Sequence, residues 1–119
     1  MNKIFLLITA LLLTACTTGH ITYYTPEGEK KTACETEYRW APTVDKHAVN
    51  YVLSYCARKA VAKGYTVEHE ELLTLDLTIP AAPAGKEWTF ERATTEYDAG
   101  RLTAKEYGYV VAWLDLGKP

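Results

Sequence analysis

Thr32-Ala33-Cys34-Glu35-Thr36-Glu37-Tyr38-Arg39-Trp40 runs straight into Ala41-Pro42-Thr43-Val44-Asp45, and a largely apolar stretch then continues to Lys63-Gly64. The first nine residues alternate. Cys34, Thr36, Tyr38 and Trp40 fall on one side, and Ala33, Glu35, Glu37 and Arg39 on the other. A period of two is that of a half-buried β-strand. From Pro42 the period changes. His47, Asn50, Ser54 and Arg58 are spaced 3, 4 and 4 apart and form one narrow polar stripe on a helix over 42–63. Proline suits the opening turn of a helix, and Gly64 stops it. Cys56 lies about 160–200° around the axis from Ser54 and Arg58, at roughly 100° per residue. Two separate periodicities therefore turn Cys34 and Cys56 toward the same interior and predict a disulfide between them. Their separation would close a loop worth roughly 3 kcal/mol in the chain-entropy model. A metal site would need two more ligands nearby. A redox pair has the tight C-x-x-C spacing, which is missing here.

Upstream, Ile21 to Thr25 is rich in strand formers and Pro26-Glu27-Gly28-Glu29 reads as a turn, so the two strands form a hairpin. Thr17 to His20 reads as a short polar tether. Downstream, 65–67 reads as a brief strand and 68–73 as one helical turn. Leu75, Leu77 and Ile79 alternate within 74–79, which predicts a further strand. Pro80 to Gly85 is an extended, proline-stiffened loop. The tail, 88–116, reads as a helical hairpin. Its first helix covers 88–99 with Phe90, Ala93 and Tyr97 on one stripe, and Gly100 ends it. The second starts at Thr103, where Glu106 completes a capping box, and carries Tyr107, Val110, Val111 and Leu114. The expected class is α+β: an N-terminal hairpin packed on a disulfide-stapled central helix, with the helical hairpin covering another side.

The first sixteen residues read differently. Lys3 precedes the apolar run Ile4 to Leu13, and Leu13-Thr14-Ala15-Cys16 closes it. A charged start, a short apolar middle and small residues at the cut make a secretory signal. Residues 4–15 are too few for a membrane span, which needs about 20. They also lack the polar stripe of a core helix. The last four residues resemble the lipobox of bacterial lipoproteins. That resemblance implies removal of 1–15, a diacylglycerol on the Cys16 thiol and an acyl chain (such as palmitate) on its freed amine. It also implies that Thr17, where inner-membrane lipoproteins carry Asp, sends the protein to the outer membrane, facing the periplasm. The run Asp98-Ala99-Gly100-Arg101-Leu102-Thr103-Ala104-Lys105-Glu106-Tyr107 resembles the turn of the short C-terminal helical hairpins called SHOCT domains, although the first helix lacks their leucine pair. In that family the hairpin implies oligomerisation or anchoring.

Processing would leave residues 16–119 as one lipid-anchored domain. Lys3 leaves with the signal, so twelve basic residues face 15 acidic ones, a net charge of −3. Nucleic acid binding requires clustered Lys and Arg, and Lys30-Lys31 in a turn is the nearest approach. Chemistry is equally thin. Ser54 is the one serine and lies mid-helix without a nucleophile elbow. His20, His47 and His69 are scattered, and Glu68-His69-Glu70-Glu71 lacks the second histidine of a zinc helix. Asp45, Asp76, Glu91 and Asp98 have no context that points to a cleft. No catalytic residue, metal ligand or cofactor is expected. The aromatic content, nine Tyr, three Trp and Phe90, suits either a small core or a recognition surface. The leading expectation is a non-catalytic accessory or binding protein of the bacterial cell envelope, held to the membrane through Cys16, with an envelope protein or cell-wall polymer as partner. One rival is an inhibitor or immunity-type lipoprotein that blocks a periplasmic or incoming enzyme through the Pro80–Gly85 loop. The other is a small cell-wall hydrolase, which would need two facing carboxylates.

Overall fold

A computed structural model describes residues 16–119, so the signal segment expected over 1–15 lies outside the described residues. The elements are β1 (Thr17–Tyr24), β2 (Lys30–Tyr38), α1 (Pro42–Ala62), β3 (Thr66–Val67), a 3-10 turn (Glu70–Thr74), α2 (Phe90–Asp98) and α3 (Ala104–Asp115). The fold is α+β. Three antiparallel strands in the order β2-β1-β3 lie against α1, which also packs on α3.

The hairpin closes where the Gly28 N–H donates to the Thr25 carbonyl at 2.8 Å and the Thr25 N–H to the Glu29 carbonyl at 3.0 Å. Its register pairs Thr17 with Tyr38 and Tyr24 with Lys30, with a shift between Gly19 and Ile21. Across that shift Cys34 and Glu35 oppose His20 alone, and Cys34 takes a left-handed φ of 57°. This is a β-bulge, one extra residue that bends the strand and re-aims its side chains. Strict alternation is broken there. Ala33, expected on the outer side, packs against the core together with Cys34. Thr17 to His20, expected as a tether, instead forms the first half of β1.

Helix α1 runs as expected from Pro42, and the chain leaves it through Gly64 at φ 88°. Its buried side includes Val44, Ala48, Val49, Val52 and Ala57. Cys34 and Cys56 form the disulfide, with Cα atoms 6.3 Å apart, within the usual range for such a bridge. Both are half-buried at the edge of the core rather than at its centre. The third strand is Thr66–Val67, paired with Tyr23 and Tyr24, and not 74–79. In 75–79 inward and outward residues do alternate, with Leu77 and Ile79 on the core, but the segment finds no strand partner. Asp76 instead accepts from the Thr78 N–H at 3.0 Å, a local turn that competes with a ladder.

The polar stripe of α1 also departs from the expected solvated face. Ser54 is fully buried, because the 3-10 turn and the residue after it lie over this side of the helix. Its hydroxyl donates to the Leu72 carbonyl at 2.6 Å, and the Arg58 guanidinium donates to the Leu75 carbonyl. Replacing Ser54 by Ala should therefore cost about 1 kcal/mol, since a part-buried hydrogen bond to the Leu72 carbonyl is lost. Urea unfolding checks this, and a midpoint within error of the parent would contradict it. The tail forms the expected hairpin. Helix α2 starts two residues later than expected, after Thr89, whose hydroxyl accepts from the Arg92 N–H. Thr103 and Glu106 make a reciprocal capping box at the start of α3.

Candidate anchoring site and aromatic groove

Cys16 is exposed and free of disulfide pairing, one residue before the first paired position of β1. Thr17 opposes Tyr38, so the sheet brings Cys16 beside Arg39. The Glu37 carboxylate accepts from the Cys16 thiol and pushes its pKa up; burial adds to the rise and Arg39 opposes it. Glu37 in turn is held below the usual carboxylate range, first by that thiol and then by Arg39. The Arg39 guanidinium donates to Glu37 Oε1 at 3.1 Å and 3.0 Å.

The end of β2 delivers Tyr38 inward, and the bend that follows Arg39 turns Trp40 outward. Tyr38 is buried, and its hydroxyl donates to Asp115 Oδ2 at 2.8 Å. Burial first, and this carboxylate second, raise its pKa far above that of an ordinary phenol. Trp40, expected on the inner side with Cys34 and Tyr38, is 57% exposed. The chain bends at this point to enter α1. Its backbone N–H donates to Asp45 Oδ1 at 3.3 Å, tying the bend to the first turn of the helix. Asp45 is fully buried and its second oxygen has no partner among the described residues. The helix N-terminus supplies a favourable dipole for that carboxylate.

Trp40 stands over the helical hairpin. Its ring lies 6.3 Å from that of Tyr107 at an interplanar angle of 20°, and Tyr107 stacks on Tyr97 at 4.5 Å. Tyr38 meets Trp40 edge-on at 6.5 Å. The Tyr107 hydroxyl is 2.9 Å from Thr94 Oγ1, which fixes the base of the stack. Phe90, expected on the inner stripe of its helix, is 45% exposed. Trp40, Phe90, Glu91, Thr94, Thr95 and Tyr107 line an open groove of about 480 Å³. The aromatic content leaves room for an exposed patch, but the periodicities place Trp40 and Phe90 on inner faces. Trp88 and Tyr109 are buried, Tyr23, Tyr24 and Trp113 are partly covered, and the exposed pair is Trp40 with Phe90.

The remaining sequence candidates lie apart. Ser54 is sealed beneath Leu72. His20 is exposed on β1, and His69 sits beside Glu71 at 3.4 Å. His47 is partly buried, and its pKa falls through burial first, then through Lys46 and Lys105. Asp45 is buried at the start of α1, Asp76 is engaged with Thr78, Glu91 stands on the groove rim, and Asp98 is exposed at the end of α2. Among the described residues no three His, Cys, Asp or Glu side chains gather as a metal site would require. No helix among them is long and apolar enough to cross a membrane. The Pro80–Gly85 loop is strapped down, with the Trp88 indole donating to the Pro80 carbonyl at 2.7 Å. Comparison with protein-family models, with curated proteins and with solved structures gives no match for this chain.

Proposed function

We propose that the chain is an exported bacterial lipoprotein, cut before Cys16 and anchored through that thiol, that serves the cell envelope as a non-catalytic accessory or binding protein. The observation that carries this reading is Cys16 itself. It closes the lipobox-like Leu13-Thr14-Ala15-Cys16, it is exposed, and it is left free while the other two cysteines pair. A disulfide fits an oxidising compartment outside the cytosol. Two or more lipid signals give stable membrane anchoring where one chain binds only marginally. Thr17 in place of Asp favours the outer membrane by resemblance to other lipoproteins. The exposed aromatic groove favours a binding role, since Trp and other aromatics are enriched at recognition surfaces. The hairpin of α2 and α3, with its likeness to SHOCT domains, points toward the same class of role.

The test is metabolic labelling with an alkyne fatty acid in bacteria that express the full chain. The parent should take up the label and Cys16→Ser should take up none. Label that persists on Cys16→Ser, or a parent that stays unlabelled, would overturn the reading.

A further inference from the structure

We infer that the Trp40–Phe90 face is a second membrane contact, seated in the interfacial layer of the same bilayer that holds Cys16. This rests on the lipoprotein reading above and extends it from attachment to orientation. Strand β1 starts at Thr17, already paired with Tyr38, so no flexible residue separates the acylated cysteine from the folded sheet. A diacylglycerol on the thiol fixes Cys16 at headgroup depth. Thr17 pairs with Tyr38 at the end of the ladder, so Arg39, the residue after Tyr38, adjoins Cys16, and Trp40 comes next. One strand spacing and one residue of rise bring the Trp40 backbone to within roughly 10 Å of the attachment point. That distance is comparable with the polar layer on one side of a bilayer, which is about 5–8 Å thick.

What stands at this depth is suited to it. Trp and Tyr concentrate at membrane–water interfaces, where an apolar ring and a polar tip are both accommodated. Trp40 and Phe90 are the exposed pair, and the stacked rings of Tyr107 and Tyr97 support Trp40 from below. The charges nearby are muted. Arg39 is paired with Glu37 beside the anchor, which leaves Glu91 on the groove rim as the carboxylate facing the lipid. A cell-wall glycan stacked on Trp40 is the competing occupant. The position of the groove beside the acylated residue favours lipid, because a bilayer drawn to Cys16 covers this face first.

The acylated protein, reconstituted in phosphatidylethanolamine–phosphatidylglycerol vesicles containing brominated phosphatidylcholine, tests this by tryptophan fluorescence. Trp88 is buried and Trp113 is partly covered, its indole donating to the Pro119 carbonyl. Quenching by bromine should therefore report chiefly on Trp40. We expect the parent to be quenched and to lose accessibility to acrylamide, and Trp40→Phe to lose the larger part of the bromine quenching. A Trp40→Phe, Phe90→Trp double variant should regain it, which keeps the test sound if the single variant folds poorly. Acylated protein whose emission ignores brominated lipid would overturn the inference and leave the lipoprotein reading intact. So would protection of Trp40 that requires added soluble wall glycan. A Cys16 that carries no acyl chain in the intact mass would remove the premise and the inference together.

Discussion

Breaking the Cys34–Cys56 bridge should lower stability by about 3 kcal/mol, the value expected for a closed loop of this length in the chain-entropy model. The two cysteines are 22 residues apart and join β2 to α1. A domain of this size has a total stability of about 5–15 kcal/mol, so the loss is a substantial share. The backbone adds a distinguishing feature. Cys34 sits at φ 57°, a left-handed conformation that costs an L-residue about 1–2 kcal/mol and costs glycine little. The bridge therefore holds a residue that the bulge itself does not favour. Two bridge-less proteins separate these effects, Cys34→Ala with Cys56→Ala and Cys34→Gly with Cys56→Ala. Both should be less stable than the parent, and the glycine version should be the more stable of the two by about 1 kcal/mol. Urea unfolding of the non-acylated Cys16→Ser protein, with and without reductant, measures the first effect, and the paired variants measure the second. An unchanged midpoint on reduction would contradict the staple.

The second large effect is expected at Gly108. Helices α1 and α3 cross there so closely that a Cβ on Gly108 would sit 2.7 Å from the Val44 carbonyl oxygen, 2.9 Å from His47 Cβ and 3.0 Å from the Ala48 nitrogen. Two of these are main-chain atoms and the third is fixed to the main chain, so no rotamer change relieves them. Helix propensity alone would make Gly108→Ala stabilising by about 1 kcal/mol. Overpacking a tight core costs about 1–3 kcal/mol and sometimes more, and here the helices must move apart over their whole contact. Gly108→Ala should therefore be destabilising on balance, and Gly108→Val more so, because it adds bulk and loses the propensity gain. Gly19 makes a useful contrast. A Cβ there meets Val49 Cγ1 at 2.6 Å and Leu53 Cδ1 at 2.9 Å, side-chain atoms of which the leucine end can turn away, while the β-branched valine, held to one rotamer on its helix, forces a small shift of the strand. Gly19→Ala should cost less than Gly108→Ala in the same thermal melts. A Gly108→Ala protein that melts at or above the parent temperature would contradict this account of the crossing.

Legibility in the sequence followed the range of the interactions. The hairpin, the long helix and the capped tail helix rest on local signals, namely period, proline, glycine and the Thr103–Glu106 pair, and they stand where those signals placed them. The disulfide was legible because two elements each aimed a cysteine inward. The bulge was not, since nothing in Ala33-Cys34-Glu35 announces an extra residue against His20, and one such residue brings Ala33 to the core. The third strand was misplaced because alternation reports burial and not pairing. Segment 75–79 buries Leu77 and Ile79 without a ladder, while Thr66–Val67 pairs with too few residues to show a period. Ser54 looked solvated because the turn that covers it comes from residues 70–74. Thr17 to His20 looked like a tether because polar composition does not reveal a strand whose partner lies eighteen or so residues away. The aromatic groove was least legible. It is assembled from the bend between β2 and α1, from α2 and from α3, and that bend at Trp40 is defined only in the packed structure.

The intact mass of the native protein, extracted from bacterial membranes and left unreduced, tests the central claim most directly. The account predicts a chain that begins at Cys16, is heavier than its amino-acid sequence by diacylglycerol and acyl additions, and is two hydrogens lighter for the Cys34–Cys56 bridge. An unmodified chain that still carries residues 1–15 and three free thiols would contradict it.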